Sequence, residues 1–145
     1  MRVLVQRVKS AKVLIDSQVK GEIGIGYLLY VCLEQTDTIL KIDQAITKIV
    51  NLRIFEDEQN KMNQNISQVK GQILSISQFT LSWDGKKGHR PSFDKSMAPN
   101  DAKILYKHFN DKLSACGITV EKGIFGAQME VSSINDGPVS FIIDF

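Results

Sequence analysis

The sequence predicts an α+β fold, and three observations carry that prediction. Short runs in the first third favour β structure and are broken by turn-forming residues; apolar spacing switches to the helical period after Asp37 and again after Pro99; the remainder returns to β-favouring runs. With 145 residues and 43% hydrophobic content, the chain has enough apolar surface for one core, so residues 1–145 are expected to form a single domain.

Arg2 to Lys9 alternates, Ala11 to Ile15 continues in β-favouring residues, and Asp16-Ser17-Gln18 reads as a turn before Val19 to Ile23. Tyr27 to Leu33 is apolar on both faces, as in a central strand. Gly24 and Gly26 before it suggest a bend or bulge; no lysine-serine pair or helix follows at the distance a phosphate loop needs. Ile39, Ile42, Ala45, Ile46, Ile49 and Val50 recur at helical spacing, with Thr36 or Asp37 available as a cap. The polar face of this helix mixes both charge signs, so its stripe is expected to pack on the sheet, not on a membrane.

Glu56 to Lys61 is a charged turn. Its three acidic residues are expected to be solvated, because no histidine accompanies them in a ligand pattern. Gln72 to Leu81 then reads as a strand covered on both faces, with Ser75, Ser77, Gln78 and Thr80 inside it. Each needs a hydrogen-bond partner, since an unpaired buried polar group costs roughly 1–3 kcal/mol. Neighbouring backbone or a ligand would serve. Asp84 to Pro91 is a glycine-containing basic loop holding Lys86, Lys87, His89 and Arg90, able to wrap a phosphate, and Trp83 stands at its edge. A second helix is expected from about Pro99 to Cys116, with Ala102, Leu105, Phe109 and Leu113 as its stripe and Gly117 closing it. Ile118 to Glu121, Ala127 to Ile134 and Val139 to Ile143 read as strands, the last two separated by Asn135-Asp136-Gly137-Pro138.

Charge is nearly balanced, 18 basic against 16 acidic residues, so any nucleic-acid footprint must be local. Cys32 and Cys116 fit no metal spacing, and neither a signal-peptide core nor a bilayer-length apolar run is present; a cytoplasmic protein without metal, cofactor or membrane contact is expected. A serine-histidine-acid triad would have to use Ser77 with His89 or His108, and no nucleophile-elbow motif surrounds Ser77.

Three strings, Ser77-Gln78-Phe79-Thr80-Leu81, Lys87-Gly88-His89-Arg90-Pro91-Ser92-Phe93 and Asn135-Asp136-Gly137-Pro138-Val139-Ser140, together closely resemble the D-aminoacyl-tRNA deacylase family. The likeness spans the chain and includes Gln6-Arg7-Val8 and Phe125-Gly126-Ala127. Ser140 stands where the family usually has Thr, Ser82-Trp83 where Tyr-Ala is commoner, and His89 where Arg is usual. The resemblance implies a compact β/β/α arrangement with a barrel-like sheet and two main helices. It also implies a homodimer whose active site lies at the subunit interface.

By the same resemblance, the reaction is hydrolysis of D-aminoacyl-tRNA, and of mischarged glycyl-tRNA. Thr80, Phe79, Gln78 and Ser77 would form the catalytic pocket, with Phe79 and Thr80 backbone amides as oxyanion donors. A cis Gly137-Pro138, braced by Arg7, would read chirality across subunits and reject L-aminoacyl esters. Phe125 and Met129 would take the terminal adenosine of the tRNA, and Lys86, Lys87 and Arg90 would meet acceptor-stem phosphates. A non-catalytic RNA- or nucleotide-binding module and a serine-dependent esterase are the rival readings.

Overall fold

The structure is a computed structural model describing residues 1–86 and 88–145. Strand β1 (Arg2–Ile15) is its axis. Along one edge it pairs antiparallel first with β3 (Gly26–Cys32) and then, past Ala11, with β2 (Gln18–Ile23); along the other it pairs with β8 (Glu130–Asp144). Beyond β3 come β6 (Gln72–Ser77) and β7 (Val120–Lys122), both parallel additions, so the sheet is mixed. The remaining strands, β4 (Phe55–Glu56) and β5 (Met62–Gln64), form a separate small hairpin. The main sheet curls until β2 lies over β6 and β7: a Cβ on Gly21 would stand 3.3 Å from both Glu121 Cβ and Leu74 Cδ1. It is the barrel-like mixed sheet that the sequence led us to expect.

Curling divides the core in two. One cluster fills the curl with Val8, Val13, Ile23, Leu28, Leu74 and Ile76. The larger lies between the outer face of the sheet and two helices, α1 (Ile39–Val50) and α2 (Pro99–Ala115), and includes Val5, Leu29, Ile73, Ile42 and Phe109. Successive residues of β6 therefore serve different cores, which is why neither face of the strand is polar. One chain supplies both coverings, so burial of β6 does not call for a second subunit.

Several local expectations are corrected. Thr38, rather than Thr36 or Asp37, caps α1 by accepting from Lys41 N at 3.4 Å; Asp37 is buried and accepts from Glu34 N at 2.7 Å. Strand β6 ends at Ser77, and Phe79–Ser82 is a single 3₁₀ turn instead of continuing the strand to Leu81. Asn135-Asp136-Gly137-Pro138 does not separate two strands: β8 runs through it as a bulge. Gln6 pairs with Ser140 and Val8 with Asn135, so β8 advances five residues while β1 advances two. At the bend expected around Gly24 and Gly26, Gly26 packs against backbone: a Cβ there would fall 1.8 Å from Gln72 O. Among the described residues, no helix is long and apolar enough to cross a membrane.

Candidate active site

The end of β6 and the 3₁₀ turn form one wall of a cavity of about 800 Å³, and the loop leading into β8 forms the other. Ser77, Gln78 and Phe79 stand on the first wall, Phe125 and Met129 on the second. Three of the four residues expected to act chemically thus line the cavity; Thr80 does not, and is linked to it by a 2.6 Å bond from Gln78 Nε2 to its hydroxyl. The remainder of the lining is apolar or neutral, including Phe93, Ser96 and Ala127. Among the described residues, no aspartate, glutamate, histidine, lysine, arginine, cysteine or tyrosine lines the cavity.

The turn carrying Phe79 and Thr80 is held from behind. Phe79 O accepts from Ser96 Oγ at 3.2 Å and Cys32 Sγ at 3.5 Å, and Ser82 Oγ meets Ser96 Oγ at 2.7 Å. Arg2 donates to Leu81 O at 3.0 Å while its guanidinium grips both oxygens of Asp144, whose carboxyl the Arg2 hydrogen bond holds below its ordinary range. Gln78 N and Leu81 N find Val31 O and Gln78 O, whereas among the described residues the amides of Phe79 and Thr80 have no partner. Two adjacent amides at the start of the turn are thus left uncommitted by the described residues. Burial pushes the Cys32 thiol up to about 11, so at neutral pH it supports the turn as a neutral donor and offers no thiolate.

The second wall is tied to the first through Ser75. Its carbonyl accepts from Tyr106 Oη at 2.8 Å and Gly123 N at 3.1 Å, and its hydroxyl donates back to Tyr106 at 3.1 Å. The Tyr106 ring lies 5.9 Å from that of Phe125, on the cavity wall. Two polar side chains of this stretch thereby find partners within the protein, Ser75 of β6 with Tyr106 and Gln78, just past the strand, with Thr80.

Arg7, Gly137 and Pro138 form a second cluster that does not line the cavity. The Gly137-Pro138 bond is cis. Arg7 is buried and donates to Asp136 O at 3.1 Å and Ile54 O at 2.6 Å, with Glu56 and Asp136 carboxylates at 3.6 and 3.2 Å. Glu56, expected to be merely solvated, is thus a partner of this arginine. Asn135 closes the bulge by accepting from Val139 N at 2.8 Å and donating to Ser140 Oγ at 3.0 Å, so the serine hydroxyl serves where the resemblance expected threonine.

Lys86 and Arg90 are exposed on the loop after Trp83, away from the cavity lining; Lys87 lies outside the described residues. Asp84 anchors that loop by accepting from Lys86 N and pairing with Lys95 at 3.3 Å. Neither histidine completes a triad: His108 faces Asp43 at 3.7 Å between the helices, His89 is exposed, and neither lines the cavity with Ser77. Among the described residues, no cluster of His, Cys, Asp and Glu could hold a metal ion.

A largely apolar cavity whose described polar side chains, Ser77, Gln78, Ser96 and Gln128, are all neutral suits a hydrolase that places its substrate and a water with dipoles. Comparison with known proteins gives the same class and a particular family: the family model described as D-Tyr-tRNA(Tyr) deacylase matches residues 4–144, and the chain belongs to that family of hydrolases. Relatives from an Exiguobacterium species and from Limosilactobacillus reuteri, each named D-aminoacyl-tRNA deacylase, are 49% identical over 144 residues. The match covers 99% of this chain with 98% of the first relative and 99% of the second. A solved structure titled c-Myc DNA Unwinding Element Binding Protein superposes with a TM-score of 0.95 at 33% identity, covering 100% of this chain and 99% of that one. Another, titled as a probable eukaryotic D-amino acid tRNA deacylase, has a TM-score of 0.88 at 18% identity, covers 99% of this chain and 98% of its own, and supports the fold.

Proposed function

We propose that this chain, acting as one domain in the cytoplasm, hydrolyses the ester between a D-amino acid and the terminal ribose of tRNA, and that it accepts glycyl-tRNA and rejects L-aminoacyl-tRNA. The observation that carries the reading is that, among the described residues, the cavity wall holds no ionisable side chain and stands beside the Phe79 and Thr80 amides, which have no partner. An activated ester needs little acid–base help once water and carbonyl are aligned. Water attacks the ester carbon and the carbonyl oxygen takes negative charge against the Phe79 and Thr80 amides. The carbon–oxygen bond to the ribose then breaks, and the leaving ribose oxygen takes up the proton given up by the attacking water, relayed by the adjacent ribose hydroxyl.

In this reading Ser77 and Gln78 shape the pocket, Phe125 and Met129 receive the terminal adenosine, and Lys86, Lys87 and Arg90 meet acceptor-stem phosphates. Thr80 positions groups and is not the nucleophile; its hydroxyl already accepts from Gln78. Thr80→Ala is expected to cost one neutral hydrogen bond, about 0.5–1.5 kcal/mol or roughly tenfold at most in kcat/KM for D-tyrosyl-tRNA. Loss of a covalent nucleophile would instead reduce single-turnover rates by orders of magnitude.

Chirality is read by Gly137-Pro138 of a second copy of the chain, which closes the cavity in a homodimer. Its backbone carbonyls take the α-amino group of a D-residue, while an L-residue would drive its side chain into fixed backbone; glycine, with no side chain, passes. A mixed dimer tests this directly. One copy carries Gly137→Ala and the other Ala127→Trp, which fills the cavity; each homodimer is expected to be strongly impaired. Co-expressed and isolated with two different tags, the pair should regain D-tyrosyl-tRNA hydrolysis, because one composite site joins an intact cavity to an intact Gly137-Pro138. A pair as inactive as its parents would rule out the cross-subunit arrangement.

A further inference from the structure

We propose that Gly123 is a positioning residue for the adenosine end of the cavity, holding it open by leaving room behind Met129. This rests on the reading of Phe125 and Met129 as the adenosine wall. Gly123 is buried and fixed to β6 by its bond to Ser75 O. A Cβ at this position would stand 2.4 Å from Met129 Sδ and 3.2 Å from Ile76 Cδ1. Met129 and Ile76 line the cavity and Gly123 does not, so these two side chains stand between the glycine and the open space.

The neighbours would respond unequally to an added methyl group. Ile76 is 1% exposed on a central strand and packed into the inner core, with no room to retreat. Met129 meets the new atom with the far end of a flexible thioether side chain, so it is the group that moves. The space open to it is the cavity. Gly123 does not have the positive φ found at six other glycines, so alanine there strains no dihedral and the effect passes through Met129. The size of residue 123 therefore sets the width of the slot available to the terminal base, and the absence of a side chain suits it to a purine.

The test compares Gly123→Ala, Met129→Ala, the double variant and Phe125→Ala with the unaltered protein. KM and kcat are measured on D-tyrosyl-tRNA ending in adenosine and on the same tRNA ending in cytidine, together with Tm. Gly123→Ala is expected to raise KM for the adenosine-ended substrate roughly tenfold, the scale of one misplaced methylene group in an apolar pocket. It should leave kcat nearly unchanged and shrink the preference for adenosine over cytidine. In the double variant KM should return to that of Met129→Ala alone, and this arm carries the test if the single variant folds poorly.

An unchanged KM in Gly123→Ala, or a rise equal for both terminal nucleosides that the double variant does not relieve, would overturn the proposal and leave Gly123 a role in folding only. If Phe125→Ala also alters neither KM nor the terminal-base preference, the adenosine reading of the wall falls with it. An effect of Phe125→Ala without one of Gly123→Ala defeats this inference alone.

Discussion

Gly137→Ala should lower kcat/KM for D-tyrosyl-tRNA by roughly tenfold to a hundredfold and narrow the ratio of D- to L-ester hydrolysis. Gly137 has φ +130, a region that side chains avoid at a cost of order 1–3 kcal/mol. Crowding adds to this. A Cβ would stand 2.5 Å from Val139 Cγ2, 3.0 Å from Val139 N and 3.2 Å from Arg7 Nη2. The Val139 rotamer can yield, but Val139 N is held by Asn135 Oδ1 and the guanidinium is held by two carbonyls. The segment must therefore shift as backbone, and the carbonyls proposed to read the amino group shift with it. Rates on matched D- and L-tyrosyl-tRNA, with circular dichroism to confirm folding, check this; an unchanged ratio would contradict the role given to the segment.

Arg7→Ala is the second large effect. The side chain is 4% exposed and joins β1 to the β8 bulge and to the segment entering β4 through Asp136 O and Ile54 O. Truncation leaves both acceptors without their donor, removes the cation facing Glu56, and leaves Asp136 with only the exposed Lys9 at 3.8 Å. Glu56 is half exposed, so its share is screened by water. A loss of roughly 2–4 kcal/mol follows, and a fall in Tm of about 10 °C for a chain of this size. Arg7→Lys should recover little of it, since an ammonium on a single stem cannot reproduce a fork bonded to two separated carbonyls. Thermal unfolding of the three proteins measures the effect, and a Tm within a degree or two of the unaltered protein in Arg7→Ala would refute it.

What could be read from the sequence was what periodicity and local turn chemistry encode. The helices appeared at their observed places because Ile42, Ala45, Ile49 and Ala102, Phe109, Leu113 recur at helical spacing and are buried. The Asp16-Ser17 turn was legible because residues of this kind tolerate the positive φ values, 49 and 60, that they adopt. Where elements end was less visible. Alternation in β6 continues past Ser77 into Phe79 and Leu81, so period alone cannot show that the chain turns at Gln78, where φ is −142 and ψ is 80. Asn-Asp-Gly-Pro signals a turn, yet the same residues serve a bulge when β1 supplies a partner on both sides of it.

The site was legible in part. Ser77, Gln78 and Phe79 and the distant Phe125 and Met129 do share a cavity. What sequence reasoning missed is the apparatus behind them: Tyr106 on Ser75, Ser96 and Cys32 on Phe79 O, Arg2 on Leu81 O. These pairs are separated by 17 to 79 positions, and no local pattern marks them. The one available signal was the polar side chains in an otherwise apolar strand, which required partners from somewhere. The lack of any ionisable group on the wall among the described residues was likewise a property of the fold and not of a motif, and it is what shapes the mechanism proposed here.

The central claim is tested most directly by the rate of ester loss from D-tyrosyl-tRNA and L-tyrosyl-tRNA, measured side by side with purified protein and with buffer alone. Rapid loss of the D-ester, with the L-ester decaying no faster than in buffer, is the predicted result. Loss of neither would contradict hydrolysis at this cavity, and equal loss of both would contradict chiral selection by Gly137-Pro138.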